Sequence, residues 1–149
     1  MNLKVALISF TLIILSGCIK YNQTPVPNIP FDITIDLNLP SYDALNGTGG
    51  WAYVNGGSRG IIVYRRAIDE FVAFDRHSPA DKEGSCAQPL FPTFDNFLIL
   101  KDTCYNATFS LYDGSPMSGS DFPLRQYQLN YNGSNLLRIF NQWQWTRLK

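Results

Sequence analysis

Apolar and polar positions along this chain alternate with a period of two far more often than with the period of a helix, and that pattern lays out a succession of short strands. Ile33-Thr34-Ile35-Asp36-Leu37-Asn38-Leu39 is the clearest case, with one face apolar and the other polar. Pro40, Asn46-Gly47 and Gly49-Gly50 then mark turns, and Trp51-Ala52-Tyr53-Val54 reads as a strand closed by Asn55-Gly56-Gly57. Two runs, Gly60-Ile61-Ile62-Val63-Tyr64-Arg65 and Phe71-Val72-Ala73-Phe74, flank a short polar turn at Asp69 and predict a hairpin. Further strands are expected over residues 88–92, 96–100 and 108–111, the last entering a turn at Tyr112-Asp113-Gly114. Residues 123–130 and 135–140 predict a closing hairpin around Asn132-Gly133, and Trp143-Gln144-Trp145-Thr146 alternates once more as an added edge strand. Beyond the N-terminal apolar run no stretch carries helical periodicity with caps. The expectation is an all-β protein with one core, no internal repeat and no second domain boundary in its body.

The N-terminus reads differently. Lys4 precedes an apolar run over residues 5–15, the length of a signal-peptide core and short of the roughly 20 residues a membrane span needs. The run ends in Leu15-Ser16-Gly17-Cys18, which resembles the bacterial lipobox, in which the cysteine is diacylated and becomes the new N-terminus. That resemblance makes Cys18 the lipidation site, residues 1–17 the signal peptide, and residues 18–30, with three prolines, a tether rather than structure. Several acyl chains on one residue suffice for stable anchoring. The expected location is the bacterial cell envelope, on the membrane and outside the cytoplasm, facing the periplasm or the surface; an ordinary cleaved signal with an accidental cysteine is the alternative.

Removing the signal leaves roughly 130 residues, enough for one domain over residues 31–149. Hydrophobic residues make up 45% and aromatics 14%, which argues against disorder. Basic and acidic residues number 12 each, and no segment gathers the basic ones, so the footprint needed for nucleic-acid binding is missing. Arg65-Arg66 reads as a solvated strand end.

The stretch over residues 73–119 carries a family resemblance. Ala73-Phe74-Asp75-Arg76-His77-Ser78-Pro79-Ala80, then Asp102-Thr103-Cys104-Tyr105-Asn106-Ala107-Thr108-Phe109, then Asp113-Gly114-Ser115-Pro116-Met117-Ser118-Gly119 resemble a Rieske-type iron–sulfur domain, whose two loops carry Cys-x-His and Cys-x-x-His around a two-iron cluster. Gly119-Ser120-Asp121-Phe122-Pro123-Leu124 is similar to that family's proline loop, with Ser120 in place of its proline. The resemblance covers residues 33–141 and implies an antiparallel Rieske-like sandwich or barrel. Its base would come from strands before Phe74 and after Leu124, with a small loop-and-hairpin subdomain at about residues 75–122 inserted between them. It also places Ser78, Ala80, Asp102 and Tyr105 at the four former cluster-ligand positions.

Those residues exclude the family's own chemistry. A Rieske centre needs two cysteine thiolates and two histidine nitrogens, and this chain has 1 His. Export argues the same way: proteins exported already folded around a cluster use a twin-arginine signal, and residues 1–17 contain no arginine. The expected cofactor is therefore none, although a [2Fe-2S] cluster is what the family would lead one to look for. With Cys18 assigned to lipid, Cys86 and Cys104 remain as an even pair in an oxidising compartment. Respiratory Rieske domains often link their two loops by a disulfide, and the resemblance implies one between Cys86 and Cys104, worth roughly 3 kcal/mol for a loop of this size. Two buried free thiols, or a zinc site of Cys86, Cys104 and His77 with Asp81 or Asp102, are the alternatives.

Enzyme signatures are missing: there is no GxSxG, HExxH or P-loop, and His77-Ser78 are neighbours only in sequence. Asp75, Asp81 and Asp102 read as turn-capping or solvated loop acids, and nothing selects two of them as a glycosidase pair. Asn22-Gln23-Thr24, Asn46-Gly47-Thr48, Asn106-Ala107-Thr108 and Asn132-Gly133-Ser134 match the N-glycosylation pattern but read as turn chemistry in a bacterium. Two functions follow. One is a non-catalytic binding or structural component of the envelope, with loops 77–86 and 102–107 as the contact surface for a protein partner and Tyr105 within it. The other is a redox or electron-transfer module of the Rieske family, or one that uses Cys86–Cys104 as a labile disulfide.

Overall fold

The structure is a computed structural model that describes residues 24–141. Cys18, the signal segment, most of the tether and the expected edge strand at residues 143–146 lie outside the described residues. Ten strands form three antiparallel sheets: β1 (Phe31–Asp36), β2 (Trp51–Val54), β3 (Ile61–Ala67), β4 (Glu70–Asp75), β5 (Phe91–Pro92), β6 (Ile99–Lys101), β7 (Thr108–Ser110), β8 (Pro116–Ser118), β9 (Gln128–Tyr131) and β10 (Leu136–Asn141). Apart from one short 3-10 helix the described residues build an all-β structure, as the alternation predicts.

The first sheet has the order β1-β10-β9, with Ile33 opposite Ile139 and Ile35 opposite Leu137. The second has the order β2-β3-β4, with Ile62 opposite Phe74 and Val63 opposite Ala73. Strands β3 and β4 of this sheet are buried on both faces, which is why Ile61-Ile62-Val63-Tyr64 is apolar without a break, whereas β2 leaves Tyr53 exposed. Ile61, Val63 and Ala73 pack with Ile35, Leu45, Leu137 and Ile139 on one side; Ile62, Tyr64, Val72 and Phe74 pack with Leu90, Leu100, Phe109, Leu111 and Leu124 on the other. Each such side chain, fully withdrawn from water, stabilises the fold by about 1.5–3 kcal/mol.

The third sheet, β5-β6-β7-β8, lies between β4 and β9 in sequence. Its entry and exit are adjacent: the Asp75 N–H donates to the Arg125 carbonyl at 2.9 Å, and the Tyr127 N–H to the Ala73 carbonyl at 2.9 Å, so the returning chain runs back along β4. Strand β8 was not anticipated from the sequence. All three of its residues are exposed, so no buried face imposes a periodicity on it.

Two further features differ from the sequence reading. The turns expected after Pro40 are a 3-10 helix, Pro40–Asn46, with proline at its start and Leu45 buried beneath it. Arg65 is not a solvated strand end. It is buried; its guanidinium donates to the carbonyls of Leu45 (3.0 Å) and Asn46 (2.9 Å) and to that of Ile68, and it stacks over Phe71 and Tyr131. Its long apolar stem and planar head suit this position, holding the end of the 3-10 helix against the middle sheet.

A disulfide-stapled loop pair as the candidate functional site

Two loops meet at one end of the third sheet. The first follows β4 and runs over residues 76–90; the second, residues 102–107, joins β6 to β7. Cys86 and Cys104 are joined by a disulfide, with their Cα atoms 6.0 Å apart. The pairing that the resemblance implied is therefore present.

The site is built outward from Asp75, the last residue of β4 and fully buried. Its carboxylate accepts from the backbone N–H of His77 (2.7 Å), Ser58 (2.6 Å) and Arg59 (3.2 Å) and from the hydroxyl of Tyr127. Burial, and then the negative charge of Asp75, push the Tyr127 phenol well above the ordinary tyrosine range. Gly57 is required beside this cluster. Its φ is +64°, and a Cβ there would lie 2.5 Å from both Asp75 Oδ2 and Tyr127 Oη.

Asp81 organises the first loop. Oδ1 accepts from the Ser85 N–H (2.9 Å) and the Tyr105 hydroxyl (3.1 Å), and Oδ2 accepts from the Cys86 N–H (3.0 Å). Arg59 lies 3.5 Å from Oδ2 and donates to the Gly84 carbonyl at 2.8 Å. Burial pushes this carboxyl up, but the N–H groups of Cys86 and Ser85, the Tyr105 hydroxyl and the charge of His77 outweigh it, leaving Asp81 below the usual carboxylate range. The Tyr105 hydroxyl also meets Ser85 Oγ at 2.8 Å, so one phenol ties the second loop to the first beside the disulfide.

Asp102 caps the second loop: Oδ1 accepts from the N–H of Cys104 (2.8 Å) and Tyr105 (3.1 Å). Its other oxygen, Oδ2, is buried without a hydrogen-bond partner. Asn106 completes the turn at φ 53°, a left-handed conformation that asparagine tolerates. All three loop acids thus cap turns, as their sequence context suggests, but Asp75, Asp81 and Asp102 do so from buried positions rather than in solvent.

Ser78 is buried and its Oγ accepts from the Ala80 N–H at 3.2 Å; Ala80 is partly covered by the second core cluster; Tyr105 is 42% exposed. Among the described residues no hydrogen bond joins Ser78 or Ala80 to Asp102 or Tyr105; the two loops communicate through Asp81, Tyr105 and the disulfide. Tyr105 is therefore both an exposed ring and a tether, and its ring does not fill the core. These donors do not fit a [2Fe-2S] group. Positions 78, 80, 102 and 105 offer a hydroxyl, a methyl, a carboxylate and a phenol, and both loop sulfurs are spent on each other.

His77 is buried, with Nδ1 2.8 Å from Ser58 Oγ. Its Nε2 lies 3.4 Å from the Asp81 carbonyl, a long hydrogen bond, and 3.7 Å from Asp81 Oδ2. The Ser58–His77 pair consequently locks the loop between β2 and β3 onto the first loop. Sequence reasoning missed Ser58 and Arg59; only the neighbouring Asn55-Gly56-Gly57 turn hinted that this loop matters. No protein-family model matches the chain, and no curated protein matches it.

Proposed function

We propose that this chain is a lipid-anchored protein of the bacterial cell envelope that keeps a Rieske-like scaffold without its iron–sulfur centre and binds a protein partner through loops 77–86 and 102–107. One observation carries the reading: a disulfide fastens the two loops that resemble cluster-binding loops, while Ser78, Ala80, Asp102 and Tyr105 stand where thiolate and imidazole ligands are required. The insertion of a four-stranded sheet between β4 and β9 supports the scaffold assignment. Rigid loops presenting an exposed aromatic suit a binding role, since tyrosine is enriched in interfaces and ordering costs are low when the loops are already fixed. The role is non-catalytic. The membrane is contacted through the lipid on Cys18.

The test uses a photo-crosslinking residue in place of Tyr105 in intact envelopes. A discrete adduct at position 105, and none from the same residue at exposed Ile68 in the β3–β4 turn, is expected. Equal labelling at both positions, or none at position 105, contradicts the loop assignment.

A second reading, a disulfide-based redox module, is favoured by the exposed position of Cys104, since exposed disulfides are the more readily exchanged ones. Equilibration against a dithiol couple separates the two. A midpoint below about −300 mV marks a structural staple, and a distinctly more oxidising one marks a redox role.

A further inference from the structure

We infer that Cys86, Cys104 and Asp102 form a redox-gated site for a soft divalent cation of the zinc type, closed while the disulfide stands and opened by its reduction. The two sulfurs and one carboxylate oxygen of Asp102 all lie within 4.8 Å of one another. Asp102 is 3% exposed, its Oδ1 is committed to two backbone N–H groups, and its Oδ2 has no partner. A buried carboxylate oxygen left unpaired is rare and costly. The disulfide near this carboxylate offers it no hydrogen bond, because neither sulfur carries a hydrogen. Reduction changes both neighbours at once, since two thiolates and a carboxylate are a donor set zinc accepts.

The geometry is within reach of one ion. Bonds of about 2.3 Å to sulfur and about 2.1 Å to oxygen place ligand atoms roughly 3.5–4 Å apart around a tetrahedral centre, so modest movements of the loop ends suffice once the S–S bond is broken. Three protein ligands leave one position, and the surface location of Cys104 opens it to solvent. The other groups near the staple stand apart: Asp81 is held by Ser85, Cys86 and Tyr105, and neither it nor His77 belongs to the group of ligand atoms within 4.8 Å of one another. Of the zinc ligands read from the sequence, the structure gathers Cys86, Cys104 and Asp102 and leaves His77 and Asp81 outside the group. Of the four former cluster-ligand positions, only Asp102 takes part.

The chemistry balances through an external dithiol. Its two thiols deliver two electrons and two protons, the Cys86–Cys104 bond breaks to two thiols, and the dithiol leaves as its own disulfide. Binding of the cation then releases both thiol protons to solvent. The inference rests on the disulfide and Asp102, and stands whether or not the scaffold or envelope readings hold.

The experiment uses the full chain purified in mild detergent, oxidised or reduced anaerobically with a phosphine, and titrated with Co2+ alone as a spectroscopic stand-in and then with Zn2+. One Co2+ per reduced chain, a thiolate-to-cobalt band displaced by Zn2+, and no uptake by the oxidised chain are expected. Asp102→Asn, which keeps an acceptor for the two backbone N–H groups, weakens binding by about tenfold or more. No thiolate band, or equal affinity in Asp102→Asn, overturns the proposal. If reduction unfolds the chain, circular dichroism with added Zn2+ decides. Recovery of the β signal by the parent chain and not by Asp102→Asn supports it; no recovery, or equal recovery in both, overturns it.

Discussion

Asp81 accepts hydrogen bonds from two backbone N–H groups and a tyrosine hydroxyl while shut off from water, and that combination carries a pH signature. Its folded pKa is lower than the ordinary 3.8, so the unfolded chain binds the proton more readily and acid favours unfolding. The stability this carboxylate contributes is fully present above the unfolded value and is lost as pH falls through the folded one. Thermal unfolding temperatures are expected to stay level from neutrality to about pH 5 and to fall below that. Asp81→Asn should lower the neutral-pH value and flatten part of the acid decline, leaving the part owed to Asp113, Asp32 and Asp36, which Ser110, Arg138 and Asn38 respectively hold low. A decline of unchanged steepness in the variant contradicts this role. The capping function of Asp81 was legible in its loop context. Its burial was not, because the partner in the second loop, Tyr105, lies 24 residues away. The same holds for Asp75, which faces Ser58 at a separation of 17 and Tyr127 at 52.

At the scale of elements, the strands that alternate or run apolar without a break, β1 through β4, β9 and β10, were legible because a buried face imposes a pattern on them. The hairpin around Asn132 is written locally: its Oδ1 accepts from the N–H of Ser134, Asn135 and Leu136. Strand β8 and the 3-10 helix were not legible, one lacking a buried face and the other too short for a helical period. The staple between loops makes its own prediction. Cys86→Ser/Cys104→Ser should lower unfolding stability in urea by about 2–4 kcal/mol, and a loss within error would mean that Asp81 and Tyr105 hold the loops unaided. Gly114, at the turn between β7 and β8, has φ +76°, and a Cβ there would lie 2.5 Å from Phe74 Cε1. Gly114→Ala is accordingly expected to cost more than about 1 kcal/mol by the same measurement, as both backbone conformation and core packing oppose it. A neutral substitution contradicts the packing of this turn on Phe74.

At the scale of the molecule, the middle sheet joins two cores, one shared with β1, β9 and β10 and the other with the sheet that carries the loops. The loops therefore stand on a base packed through Phe74, Leu100 and Phe109, all essentially inaccessible to water. Such a platform is compatible with the recognition surface proposed for the loops. Anchoring is tested apart from binding: the parent chain should fractionate with membranes and Cys18→Ser should be released to the soluble fraction. Equal membrane association of the two removes the lipid anchor from the account. The layered all-β organisation was readable from periodicity. The joining of the two loops was readable from the even cysteine pair left in an oxidising compartment and from the family resemblance together, with free thiols or a metal pair as the alternatives.

The central claim is a Rieske-like scaffold that has lost its cluster, and its most direct test is the iron, acid-labile sulfide and zinc content of the anaerobically purified chain, with its visible spectrum. A colourless protein with its disulfide intact and no stoichiometric iron or sulfide is the result predicted. A brown protein with stoichiometric iron and sulfide would contradict the account and make electron transfer the function of these loops.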